Sequence, residues 1–347
     1  MSFKILAPRA VEEAYHRIKN YVTRTRLIES PELNNLLGSR IKFKLETEQI
    51  AGSFKVRGAL NALLKLQELN KLPKEIAAFS SGNHAQGIAW AAKELRIKAT
   101  IYLPEYTAKF KQEAVKKLGA NVIVTKTRQE AEDLVIEHEK KGGYIIPPSD
   151  HDLVIAGNGT VCYEALQEMV NVDAVFAACG GGGLVSGTYL ATKVISPKTK
   201  VFAAEPSIAN DAAQSVKNGS IVRFKDSPKT IADGARTLGI TPRIFHYLKQ
   251  IDGFYEIDEE EIIFWATYLS ELFKINCEPT AALAMSAAYR WLQTQTSKKE
   301  VLVILSGGNI EVGHYNKTNN NIVDMVKKLQ SNSLITSIAK KLDIAYS

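Results

Sequence analysis

Short apolar runs alternate with longer helix-like runs along most of this chain, and that alternation constrains the fold more than any other feature. "RIKFKLET" (40–47) reads as a strand, and "EIAAFSSGNHAQGIAWAAKEL" (75–95) as strand, polar turn and alanine-rich helix. "KATIYLPEYT" (98–107) and "ANVIVTK" (120–126) read as strands on either side of the helix "AKFKQEAVKKLG" (108–119). "GGYIIPPSD" (142–150) is one more strand, broken by Pro147 and Pro148. The chain restarts with "VIAGNGTVCYEALQEM" (154–169), "DAVFAACGGGGLVSGTYLATKV" (173–194) and "KVFAAEPS" (200–207), read as further strand, loop and helix units. After a more irregular stretch come helices over 259–275 and 278–292 and a last buried strand in "EVLVILSGGN" (300–309). The pattern predicts an α/β fold with a largely parallel sheet, and 347 residues suit two domains or one large one.

Other classes find little support. No apolar run approaches the ~20 residues of a membrane helix, and the N-terminus lacks the apolar core and cleavage site of a signal peptide. The cytoplasm is therefore the expected location. Cys162, Cys179 and Cys277 lie far apart and form no CxxC pair, which argues against disulfides or a zinc site. The formal charge of +7 is spread along the chain with no aromatic-interleaved basic patch, so no nucleic-acid partner is expected. A mildly basic enzyme that takes anionic ligands accounts for the charge.

Ligands of open α/β sheets bind at the carboxyl ends of strands. Three polar or glycine-rich loops sit there: "SSGNH" (80–84), "CGGGGLVSG" (179–187) and "LSGGN" (305–309). Four consecutive glycines between a strand and a helix expose backbone N–H groups that can cradle a phosphate. A dinucleotide site is the competing reading, because Glu205 lies at the end of the next strand, where a ribose-binding acid would sit. The glycine spacing fails it: with Gly187 as the third glycine of GxGxxG, the middle position is Leu184. Neither GxxxxGK[ST] nor GxSxG nor HExxH occurs. In "AGSFKVRGAL" (51–60), Lys55 stands just before a helix-like run. A lysine amine able to form a Schiff base, together with a nest for one phosphate, is what pyridoxal phosphate requires.

In order along the chain come "GSFKVRGALNAL", "SSGNHAQGIAWAAK", "VIAGNGT", "CGGGGLVSG", "TIADGARTLG", "EPTAALA" and "LSGGN". Over roughly residues 5–315 this series resembles the fold type II pyridoxal-phosphate enzymes, in particular the serine/threonine dehydratase and serine racemase group. The resemblance implies a tryptophan synthase β-subunit-like α/β fold of two open three-layer domains with the cofactor in the cleft between them. Residues 1–68 and 148–320 would form the large cofactor-binding domain and 69–147 the small one. The tail, 321–347, would be too short for a regulatory domain.

The resemblance also implies roles. Lys55 would hold the cofactor as a Schiff base and serve as the base at Cα, with Phe54 beside the ring and Asn83 at its 3′-oxygen. Ser80, Ser81, Gly82, Asn83 and His84 would surround the substrate carboxylate. Gly180, Gly181, Gly182, Gly183 and Leu184 would bind the phosphate through their backbone, and Ser306 would meet the ring nitrogen. Glu205, Asp211 and the Ala209 carbonyl would form a site for Mg²⁺, Ca²⁺ or Mn²⁺. The implied activity is deamination of L-threonine or L-serine to a 2-oxo acid and ammonia by β-elimination of water. The alternative is a serine racemase or threo-3-hydroxyaspartate dehydratase that uses Ser81 as acid/base on the second face. A small amino acid is the expected substrate and a homodimer or homotetramer the expected assembly.

Overall fold

The structure is a computed structural model that describes residues 5–80 and 82–310; the expected tail at 321–347 and Ser81 lie outside the described residues. The chain opens with α1 (Arg9–Ile18), β1 (Leu27–Ile28), α2 (Pro31–Leu37), β2 (Arg40–Leu45) and α3 (Lys55–Glu68). Next come β3 (Glu75–Phe79), α4 (Asn83–Glu94), β4 (Lys98–Pro104), α5 (Lys109–Lys117), β5 (Asn121–Thr125), α6 (Arg128–Lys140) and β6 (Tyr144–Ile145). They are followed by α7 (Asp152–Leu166), β7 (Ala174–Ala178), α8 (Gly183–Ile195), β8 (Lys200–Pro206) and α9 (Asp211–Asn218). The last elements are α10 (Pro242–Leu248), β9 (Gly253–Ile257), α11 (Glu259–Phe273), α12 (Pro279–Leu292) and β10 (Glu300–Leu305).

Two sheets result. One has strand order β5-β4-β3-β6 and is parallel throughout. The other has order β1-β2-β10-β7-β8-β9 and is parallel except for the β1–β2 pair. Strands β7, β8 and β10 read as near-continuous apolar runs because helices cover both faces of the sheet. Strand order reverses between β7 and β10, so the loops after these strands open a crevice at their carboxyl ends. No described helix is long and apolar enough to cross a membrane.

The expectation for "VIAGNGT" differs from the structure. The whole segment is helical, inside α7. Its glycines let three helices touch at backbone distance. A β-carbon on Gly187 of α8 would fall 2.5 Å from Gly159 N and Ile155 O, and one on Gly157 would fall 2.6 Å from the Arg57 carbonyl of α3. Only glycine fits such crossings. One helix thus fixes both the helix that begins at Lys55 and the helix that begins at the glycine loop.

A buried set of charges reinforces the α3–α7 contact. Arg57 donates to Glu46 Oε2 at 2.7 Å and to Glu164 Oε1 at 2.8 Å. Lys44 donates to Glu164 Oε2 and to the Thr25 carbonyl, each at 2.8 Å. Lys44, Glu46, Arg57 and Glu164 are at most 1% exposed, so two cations and two anions neutralise each other out of water.

Candidate active site

A cleft of about 230 Å³ lies between the two sheets. Phe54, Lys55, Ser80, Gly82, Asn83, His84, Gly180, Gly181, Gly182, Gly183, Leu184 and Ser306 all line it, so the described residues expected around the cofactor and substrate are brought together. Glu205, Ala209 and Asp211 do not line the cleft and form a separate locality.

Lys55 is the first residue of α3, and its loop is tied to the loop after β10: Phe54 N donates to Ser306 O at 3.1 Å, and Ser53 bridges Gly307. The amine is half-buried and donates to the Pro148 carbonyl at 2.9 Å, with Nζ 5.0 Å from the centre of the Phe54 ring. Burial pushes its pKa down to about 8 against the opposing pull of Glu278. Just beyond Pro148, Asp150 pairs with Arg243 of α10 at 2.9 Å, and Asp152 pairs with the same guanidinium.

Opposite the amine, Gly182 adopts φ +77° and lets the chain turn into α8, whose first turn has no side-chain cap. The free N–H groups of this turn and the helix dipole leave a cradle suited to an anion. Ser306 is 2% exposed, and its hydroxyl has no hydrogen-bond partner among the described residues. A buried hydroxyl left without a partner beside a cradle fits a bound group that completes it.

At the third loop, α4 begins at Asn83 after Gly82, again without a side-chain cap. His84 is buried; burial and the neighbouring Lys55 lower its pKa to about 3, against the Ile146 carbonyl 2.8 Å from Nε2. It is therefore a neutral imidazole whose Nε2–H donates to Ile146. Asn83 Nδ2 donates to both oxygens of Glu278 at 2.9 and 3.0 Å, and its Oδ1 accepts from Asn309 at 2.8 Å.

Glu278 was not singled out in the sequence. It precedes α12 in "EPTAALA", and only the fold brings it to the cleft, 195 positions from Asn83. Burial and the charge of Asp233 raise its pKa to about 7. Asp233 in turn pairs with Lys111 of α5, so that two links, Glu278–Asn83 and Asp233–Lys111, join elements of the two sheets across the cleft. Thr280 of "EPTAALA" and Gly234, Arg236 and Thr237 of "TIADGARTLG" also line the cleft.

The sequence profile described as "Pyridoxal-phosphate dependent enzyme" matches residues 18–307. The chain belongs to the pyridoxal-phosphate dependent enzymes. Within this family it is 42% identical over 311 residues to an L-threo-3-hydroxyaspartate ammonia-lyase of Saccharomyces cerevisiae, covering 88% of this chain and 94% of that protein. It is 39% identical over 308 residues to a serine racemase of Schizosaccharomyces pombe, covering 88% of this chain and 94% of the relative. The solved T.th. threonine deaminase superposes with a TM-score of 0.81 at 38% identity, over 87% of this chain and 98% of that one. The chain is accordingly an enzyme of the ammonia-lyase and racemase branch, with the fold type II architecture and pyridoxal phosphate as cofactor. The glycine cradle, the amine of depressed pKa and the unpartnered Ser306 hydroxyl fit that cofactor's phosphate, aldehyde and ring nitrogen in turn.

The Glu205 locality has its own chemistry. Glu205, at the end of β8, accepts from Ala212 N at 3.3 Å and from Ala213 N at 2.8 Å, while Asp211 Oδ1 accepts from Thr237 at 3.1 Å. Both carboxylates are fully buried. Burial and the charge of Asp211 push Glu205 well up, and burial raises Asp211 to about 6. Asp211 Oδ2 has no partner among the described residues. These residues hold no cluster of three or more His, Cys, Asp or Glu side chains, so a cation here would need the Ala209 carbonyl and water as further ligands.

Proposed function

We propose that the chain is an ammonia-lyase of β-hydroxy-α-amino acids, with L-serine, L-threonine and threo-3-hydroxyaspartate as its candidate substrates. Water leaves across Cα–Cβ, and hydrolysis of the released enamine yields a 2-oxo acid and ammonia. The observation that carries this reading is the position of Lys55, a depressed-pKa amine in one cleft with the phosphate cradle and Ser306. Bound pyridoxal phosphate supplies an electron sink for the negative charge that develops at Cα.

The chain's own residues supply the rest. Lys55, neutral for a large share of the time near pH 8, takes the Cα proton, and the Pro148 carbonyl aims its amine. The uncapped start of α4 offers N–H groups to the substrate carboxylate, and the neutral His84 adds no second positive charge there. Ser306 presents a hydroxyl to the ring nitrogen. A hydroxyl does not hold that nitrogen protonated as a carboxylate does, which favours prompt loss of a β-hydroxyl over transamination. The names of the yeast hydroxyaspartate ammonia-lyase and the T.th. threonine deaminase support the same reaction class.

A racemase activity is the second reading, favoured by the serine at position 81 and by the Schizosaccharomyces pombe relative. Purified protein is to be incubated with the three hydroxy amino acids while 2-oxo acid, ammonia and D-enantiomer are followed. Formation of 2-oxo acid from at least one is expected; none from any of them, with cofactor bound, sinks the lyase reading. Ser81→Ala should remove D-enantiomer formation and spare ammonia release, whereas equal loss of both would refute a separate second-face acid.

We further infer a divalent cation at Glu205, Asp211 and the Ala209 carbonyl, supported by the unpartnered Asp211 oxygen. The ion would oppose the repulsion of two buried carboxylates and is structural or activating in role. Chelation is expected to lower the thermal midpoint, and Mg²⁺, Ca²⁺ or Mn²⁺ to restore it. A midpoint indifferent to both treatments would remove the site.

A further inference from the structure

The residues that line the cleft include two cationic side chains, Lys55 and Arg236. Lys55 is committed to the chemistry. Arg236 closes the short turn Asp233–Ala235, and both ends of its loop are anchored. Its Nε donates to the Thr230 carbonyl at 2.7 Å, and the next residue, Thr237, donates to Asp211 at 3.1 Å. That leaves the two terminal nitrogens of the guanidinium, which have no acidic partner among the described residues. The acids that line the cleft are engaged elsewhere, Asp233 with Lys111 and Glu278 with Asn83.

The cradle at Gly180–Gly183 suits one anion and the uncapped start of α4 a second. Serine and threonine bring no third. An oriented guanidinium at the same cleft has the fork geometry that a carboxylate fills with two parallel hydrogen bonds.

We propose that Arg236 selects dicarboxylic substrates, gripping the side-chain carboxylate of a 3-hydroxyaspartate-type amino acid. The proposal rests on the ammonia-lyase reading and adds its substrate class. Serine and threonine leave Arg236 solvated at the cleft edge and lack only this one contact, so the preference is one of degree.

The test compares wild type with Arg236→Gln and Arg236→Lys. The ratio of kcat/KM for threo-3-hydroxyaspartate to that for L-serine should fall ~10–100-fold in Arg236→Gln, the value of a charged hydrogen-bonded contact. Arg236→Lys should recover part of the ratio, since it restores the charge but not the fork. Equal losses on both substrates would overturn the proposal, because Arg236 would then act on what the two share. A second readout is binding: L-aspartate and L-alanine differ by one carboxylate and lack a β-hydroxyl, and both are titrated against the cofactor's absorbance. Wild type should bind L-aspartate more tightly, and Arg236→Gln should erase that margin; equal affinities in wild type would overturn the proposal. If no hydroxy amino acid is turned over, the lyase reading has failed, while the aspartate-to-alanine comparison still decides the role of Arg236.

Discussion

Lys55→Ala protein is expected to lose the cofactor adduct that borohydride fixes, together with nearly all turnover. The fall should reach at least ~10²–10⁴-fold, the span that a positioned proton-transfer group supplies. The expectation follows from geometry and from charge. The amine lies at the first residue of α3, against the Pro148 carbonyl, in one cleft with the cradle and Ser306. Its pKa is pushed from 10.5 down to about 8 by burial, so the folded chain favours the neutral, nucleophilic form. Cofactor loading of the cofactor-free chain should therefore rise with pH around a midpoint near 8, well below that of an exposed lysine. Linkage has a definite sign. Between about pH 8 and pH 10.5 the unfolded chain holds more proton on this amine than the folded one, so stability of the cofactor-free chain rises with pH through that window. A loading midpoint at the ordinary lysine value would show an amine open to water. An undiminished borohydride adduct in Lys55→Ala would place the imine on another lysine.

Much of this site is legible in the sequence, because its chemistry depends on local backbone. A glycine run that must expose N–H groups, a lysine at the start of a helix and a hydroxyl just after a strand carry their meaning in the residues themselves. The parallel strands β3, β4, β7, β8 and β10 also announce themselves, since burial on both faces writes an apolar run. What stays hidden arises only when distant segments meet. Glu278 acts on Asn83 from 195 positions away, and Asp233 meets Lys111 from 122. Arg236 gains significance because the acids beside it are engaged and none among the described residues pairs with it. The strand β9, with its half-buried "GFY" and exposed Glu256, gives a weak signal in the irregular stretch. "VIAGNGT" misleads for a physical reason: glycine usually interrupts a helix, but here Gly157 and Gly159 let α7 approach α3 and α8.

The same crossing yields the second large effect. Glu164→Gln should destabilise the fold by ~3–5 kcal/mol, the cost of breaking a buried ion pair from one side. Glu164 receives hydrogen bonds from Arg57 Nη1 at 2.8 Å, Arg57 Nη2 at 2.9 Å and Lys44 Nζ at 2.8 Å. Glu46 holds the other side of Arg57 at 2.7 and 2.8 Å. Removing one of two carboxylates leaves two buried cations with one counter-charge and no water to solvate the excess. Burial works to raise Glu164, but the charges of Arg57 and Lys44 and their hydrogen bonds hold it below the usual glutamate range. A depressed carboxylate contributes stability above its unfolded pKa and loses it as pH falls through its folded one. The gap between wild type and Glu164→Gln should therefore be full near neutral pH and close in acid. For a chain of 347 residues the difference in thermal unfolding is roughly 4–7 °C. Adding Lys44→Met to Glu164→Gln removes the surplus cation, so the double variant should be more stable than the sum of the single losses. Strict additivity, or a loss under ~1 kcal/mol for Glu164→Gln, the range of exposed pairs, would mean that water reaches these charges. In that case the glycine approach, the Asn61–Leu153 hydrogen bond and apolar packing would hold α3 on α7 without help from the charges.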